Sequence, residues 1–115
     1  MMTSECQITI NDLVWTIKKV EPNSDYLMTD NQGFAYGMTF PDSLKIYIQD
    51  EGLDKQLFYK FIKHEITHAY IFTFQRSKEK WNEEELCEFI EAHADMIIDD
   101  SRWAAKQLFN YKYKK

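Results

Sequence analysis

Two histidines and a glutamate stand at a spacing that suits metal-dependent hydrolysis: His64, Glu65 and His68. Side chains four residues apart project from one face of an α-helix, so both imidazoles could bind the same metal ion. Zinc accepts such nitrogen ligands and, in catalytic sites, keeps one position for water. Glu65 could take the proton of that water as it attacks a carbonyl, and later donate it to the leaving amine. The motif therefore predicts a zinc-dependent peptidase with His64 and His68 as ligands and Glu65 as catalytic base.

A complete site needs a third protein ligand, and the acidic segment after the motif offers several candidates. Glu85 can also form a helix-capping box with Asn82, and His93 falls on an apolar stripe where a core histidine is the better interpretation. Glu84 and Glu88 are four apart, so one could bind zinc while the other orients a ligating imidazole. Spacing alone does not decide between this metal-binding role for the pair and a solvated acidic face. The candidates on this segment are Glu83, Glu84, Glu85, Glu88, Glu91, His93 and Asp95.

The elements that must position these residues change from strands to helices along the chain. Residues 7–10 and 13–17 alternate around Asn11-Asp12, which predicts a hairpin, and residues 44–48 predict a further strand. From residue 53 to residue 74, apolar side chains occur on nearly every side of the helical pattern, which is typical of a buried helix. A second helix is predicted from Asn82 to about residue 100, with a continuous or separate helical stretch after it.

This order predicts an α+β fold. We expect a small antiparallel sheet of about three strands, packed on a central zinc-binding helix and one or two C-terminal helices. An extended substrate could add to an edge of this sheet as a further strand, and residues 44–48 are the candidate edge.

Length and composition restrict the other possibilities. A chain of 115 residues with 44% hydrophobic residues predicts one domain, residues 1–115. The net charge of −5 argues against direct nucleic-acid binding, and the basic end at 112–115 is more typical of a solvated helix end. Cys6 and Cys87 have no metal or redox spacing, so two free thiols in a reducing cytoplasm are expected. No signal-peptide or membrane-spanning pattern occurs, which favours a cytoplasmic protein without a membrane partner.

The motif and its surroundings resemble the ImmA/IrrE metallopeptidases, and most closely the short phage- and prophage-encoded members. The resemblance covers roughly residues 44–98. The second helix of that family carries a Glu, two further residues, Ala or Cys, and then Asn or Asp. Here the pattern is matched to Glu84 and Cys87, with Glu88 in place of Asn or Asp. The resemblance implies that Glu84 is the third zinc ligand.

Thermolysin-like enzymes offer a second likeness, because their His-Glu-Leu-Thr-His-Ala is similar to residues 64–69. They continue with a Glu ligand and an acidic residue four positions later, which again fits Glu84 and Glu88. The chain departs from the ImmA/IrrE family in three respects: no first helix is evident before the sheet, Glu88 replaces the usual Asn or Asp, and residues 99–102 are polar rather than apolar. These departures leave the expected zinc site in place and bear on the substrate-binding surface.

The resemblance also implies a substrate class. Members of the family cleave specific proteins, notably repressors that keep mobile elements silent. The expected partner is therefore a protein or peptide, such as a transcriptional repressor, in a bacterial or phage-infected cell. The alternative is a binding or antagonist module that keeps the scaffold without cleaving its partner, but the intact Glu65 favours an enzyme. A closed structural zinc site is disfavoured because such sites usually use more cysteines.

Overall fold

The fold consists of a four-stranded sheet followed in the chain by two long helices. The computed structural model describes residues 4–75 and 80–109, so the basic end at 112–115 lies outside the described residues. The α+β class predicted from the sequence is confirmed. The elements, in chain order, are β1 (Glu5–Ile10), β2 (Leu13–Val20), β3 (Gly37–Phe40), β4 (Lys45–Gln49), α1 (Lys55–Gln75) and α2 (Glu83–Leu108).

The sheet is mixed and has four strands, where the sequence led us to expect about three antiparallel ones. Its order is β1-β2-β4-β3. The predicted β1–β2 hairpin is confirmed, and Asn11 and Asp12 have the positive φ angles, 48° and 70°, that a tight two-residue turn requires. The chain then crosses over before β4, which therefore pairs with β2 in parallel. The additional strand β3 has only four residues, too few for apolar alternation to indicate it.

The core lies between one face of the sheet and the two helices. Fully buried side chains from β2 and β4, such as Trp15 and Ile46, face buried side chains of α1, such as Ile62 and Ile66. The expectation that α1 is buried on all sides was wrong, because its far face, including His64 and His68, is exposed. The sheet and α2 cover only part of the surface of α1. Half-buried aromatic side chains border the strip of α1 that remains exposed.

The second helix is continuous over 26 residues and begins with the predicted capping box between Asn82 and Glu85. It is joined to α1 by a hydrogen bond of 2.5 Å from the Tyr70 hydroxyl to Asp100 Oδ2. His93, for which a core position was expected, is half-buried among aromatic rings: its ring stacks on Phe74 at 4.1 Å between centroids, and burial lowers its pKa. In the described part of the chain, neither helix has the length and apolar character needed to cross a membrane.

Candidate active site

The two histidines of the motif are held close together by the geometry of α1. His64 and His68 lie one turn apart on its exposed face, and their Nε2 atoms are 3.2 Å from each other. Two nitrogens that each lie 2.0–2.1 Å from a tetrahedral zinc ion are separated by about 3.3 Å. The pair therefore fits two ligand positions of one zinc ion, and without metal the same separation allows a hydrogen bond between the rings.

Glu65 points away from solvent, towards strand β3, and is only 7% exposed. The Thr39 hydroxyl donates a hydrogen bond of 2.7 Å to Glu65 Oε1 and also lies 3.2 Å from the Glu65 carbonyl oxygen. Gly37 stands two residues earlier on β3, on the same face as Thr39. A Cβ atom at Gly37 would lie 2.9 Å from Glu65 Cγ, so only glycine leaves room for the glutamate there. Gly37 and Thr39 together form a seat for Glu65.

A groove of about 480 Å³ runs between β3 and the exposed face of α1, and we call it the site groove. Both histidines and Glu65 line it, together with Gly37 and Thr39. A substrate in this groove would therefore reach all three residues of the motif at once.

The sheet edge beside the site groove belongs to β3. The expectation that residues 44–48 form an edge was wrong, because β4 pairs with β2 on one side and with β3 on the other. In the part of the chain that the structure describes, β3 pairs only with β4. Gln49 N–H donates to the Tyr36 carbonyl, so by alternation the backbone groups of Gly37 and Thr39 point away from β4, towards the free edge.

A second cavity, of about 700 Å³, adjoins the site groove and shares Gly37, His64 and Glu65 with it. We call it the apolar cavity. Its walls come from the segment before β3 and from α1 and α2, and most of its side chains are aliphatic or aromatic. The α2 residues that line it are Phe89, Ile90, Ala94, Ile97 and Ile98.

The third metal ligand is not assembled beside the histidines. Glu84 and Glu88 are both exposed, and Glu84 lies in the first turn of α2, before the residues that line the apolar cavity. Among residues 4–75 and 80–109, no group of three or more His, Cys, Asp or Glu side chains is placed to hold a metal ion. The assignment of Glu84 as third ligand stays a prediction.

Another acidic residue of α2, Glu91, lies within the stretch of the helix that lines the apolar cavity, between Ile90 and Ala94. It stands three residues before Ala94 and seven before Ile98, on the same side of the helix as these two lining residues. The sequence carried a signal for it: the pattern of Glu, two residues, Ala or Cys, then Asn or Asp is met in full by Glu91, Ala94 and Asp95. The match to Glu84 requires a Glu at the last position instead.

Comparison with known proteins adds no family to this geometry. No family model matches the chain, and neither does any curated protein or solved structure.

Proposed function

We propose that the protein is a zinc-dependent peptidase that cleaves a specific protein or peptide substrate. The observation that carries this proposal is the 3.2 Å separation of the His64 and His68 Nε2 atoms, with the buried Glu65 carboxylate beside them in the same groove. A zinc ion bound by the two imidazoles would lower the pKa of a coordinated water and polarise the substrate carbonyl.

The residues of the chain have separate roles in this proposal. Glu65 accepts the proton of the attacking water and passes it to the leaving amine, because its carboxylate lines the groove and is held in place by Thr39. The free edge of β3 binds the substrate backbone as an added strand, which carries the scissile bond past His64 and Glu65. A cytoplasmic substrate such as a transcriptional repressor remains the proposal that the family resemblance implies.

We propose that α2 supplies the third ligand. The motif match implies Glu84, whereas the apolar cavity favours Glu91, because Ala94 and Ile98 of the same helix face already lie on the wall opposite His64. A glutamate ligand on a second helix would complete three protein ligands and leave one position for water.

The test combines metal analysis with peptide cleavage. Purified protein is incubated with zinc, dialysed, and assayed for bound metal, and a proteome-derived peptide library is searched for cleavage by mass spectrometry. Glu65→Gln should keep its zinc and lose cleavage by about 100-fold or more, as expected for a general base. Glu51→Gln, which removes the same charge at an exposed loop position, should behave as wild type.

Two results would contradict the proposal. Cleavage by Glu65→Gln at the wild-type rate would show that this carboxylate is not the base. Wild-type protein that neither retains zinc nor cleaves any peptide would favour the alternative of a binding module without peptidase activity.

A further inference from the structure

We propose that the apolar cavity and two lysines at its rim select substrates with a bulky apolar residue beside the scissile bond and an acidic residue close to it. This inference rests on the proposed peptidase function and names the substrate class of the same site. The occupant to which it commits is a short acidic-apolar stretch of a peptide chain.

The preference for a bulky apolar residue comes from apolar side chains that remain exposed around a concave surface. Ile90 is 53% exposed and Tyr36 50% exposed, and the Tyr36 ring stacks on Phe61 with 4.6 Å between centroids. All three line the apolar cavity. Large apolar side chains left open around a pocket of this size are typical of a binding site.

The position of the cavity determines which substrate residue enters it. The apolar cavity and the site groove share Gly37, His64 and Glu65 as a common wall. A peptide that follows the β3 edge with its scissile carbonyl at His64 therefore places a neighbouring side chain in the apolar cavity. At about 700 Å³ the cavity is large enough for more than one side chain, so it can also receive the acidic neighbour.

The preference for an acidic substrate residue comes from Lys60 and Lys63, which line the same cavity. The ammonium group of Lys63 lies 4.8 Å from the centre of the Tyr59 ring, one turn earlier on α1. Within the described ranges neither lysine has a carboxylate partner, and Glu65 is the one acidic residue that lines the cavity. Two lysines without a carboxylate partner in the described ranges, on a chain of net charge −5, favour a substrate with a carboxylate at this place.

The experiment uses zinc-loaded full-length protein and three fluorescent peptides that differ at single positions. The parent peptide carries Phe flanked by two Glu, the second replaces both Glu by Lys, and the third replaces Phe by Ser. We expect kcat/KM for the parent to exceed each of the others by about tenfold or more. Binding of the same peptides to zinc-free protein, followed by fluorescence anisotropy, should show the same order.

Matched variants assign the preference to the cavity. Charge reversal in Lys60→Glu with Lys63→Glu should invert the order of the acidic and basic peptides, whereas Lys55→Glu with Lys106→Glu should preserve it. The control pair changes the net charge equally but lines a different cavity.

A second pair of variants tests the apolar wall. Ile90→Ser should weaken selection for Phe, and Met96→Ser, at an equally exposed position of α2 outside the cavity, should not. Sedimentation of the wild type tests whether a second copy of the chain covers this wall instead. A dimer that dissociates in Ile90→Ser would overturn the inference.

The outcomes separate this inference from the proposed function. Cleavage with no preference among the three peptides would overturn the inference and leave the peptidase intact. Binding with the expected preference, but without cleavage by zinc-loaded protein, would support the inference and contradict the peptidase. Neither binding preference nor cleavage would overturn both.

Discussion

The two sides of the histidine pair differ in how completely they are organised. On the β3 side, Glu65 is buried, accepts a hydrogen bond from Thr39 and fills the space left by Gly37. On the α2 side, the wall of the apolar cavity is open, and Ile90 and Glu91 are both exposed. Glu65, the proposed base, is therefore positioned by the fold itself, whereas the proposed third ligand and the substrate contacts would form on binding.

This difference has a physical cause in the connections of the two elements. Strand β3 is fixed along its length by antiparallel pairing with β4 and touches α1 directly. Helix α2 buries Phe89 and Ile97 in the core and is joined to α1 by the Tyr70–Asp100 hydrogen bond and the ring contacts of His93, but its Glu91 side chain stays exposed. A zinc ion held by His64, His68 and a glutamate of α2 would add a further link between the helices, so metal binding would also stabilise the fold.

The largest effect, on zinc affinity, is expected on the α2 side of the histidine pair, at the proposed third ligand. We expect Glu91→Ala to weaken zinc binding by at least about 100-fold, because loss of residues that merely orient ligands already costs 10–100-fold. Glu84→Ala and Glu88→Ala remove the same charge from the same helix and serve as matched controls. Competition with a chelator of known zinc affinity measures all three.

The alternatives give distinct results in that series. Loss of zinc binding only in Glu84→Ala would show that Glu84 is the third ligand, as the motif match implies. Equal affinity in the three variants and the wild type would show that none of these three carboxylates is a zinc ligand. In that event His93 is tested next with His93→Phe, which keeps an aromatic ring in the stack on Phe74.

A smaller effect, on the free energy of unfolding, is expected on the β3 side of the histidine pair, at Thr39. Replacement by Val keeps the branched shape but removes the hydroxyl that donates to the buried Glu65 carboxylate. A hydrogen bond to a charged group contributes roughly 1.5–3 kcal/mol, so we expect the free energy of unfolding to fall by about 2 kcal/mol. Denaturant titration of the zinc-free protein measures this change.

Thr39→Ser is the matched control, because it retains the hydroxyl and should retain most of the stability. The kinetic result separates positioning from packing: Thr39→Val should lower kcat with little change in zinc affinity, and Thr39→Ser should restore it. A Thr39→Val protein with wild-type stability and kcat would show that the seat on β3 does not position the base.

The sequence predicted those parts of the fold that local patterns determine. The β1–β2 hairpin, the strand at 44–48, the capping box at Asn82 and the packing of His93 among apolar side chains each follow from spacing over a few residues. The arrangement of the sheet did not follow, because pairing between β2 and β4 is set by contacts between distant segments. The short strand β3 was missed because its four residues are too few for apolar alternation to indicate a strand, although it forms the seat of Glu65.

The sequence likewise predicted only those features of the candidate site that local spacing determines. The spacing of His64 and His68 predicts a shared face of one helix, and their Nε2 atoms are indeed within 3.2 Å of each other. The partners of Glu65 could not be predicted, because Thr39 lies 26 residues away and reaches Glu65 only through the fold. The direction in which each acidic side chain of α2 points depends on how α2 crosses α1, which helical periodicity alone does not specify.

The smallest expected effect concerns the beginning of α2, far from the seat of Glu65. Asn82→Ala removes the side chain that caps Glu85 N–H, and loss of such a cap costs roughly 1 kcal/mol. Asn23→Ala, at an exposed loop position, is the control and should change the free energy of unfolding by less than about 0.5 kcal/mol. Since α2 would supply a metal ligand, zinc should restore much of the stability lost in Asn82→Ala. If zinc stabilises this variant no more than it stabilises a His64→Ala variant, the metal does not connect α1 to α2.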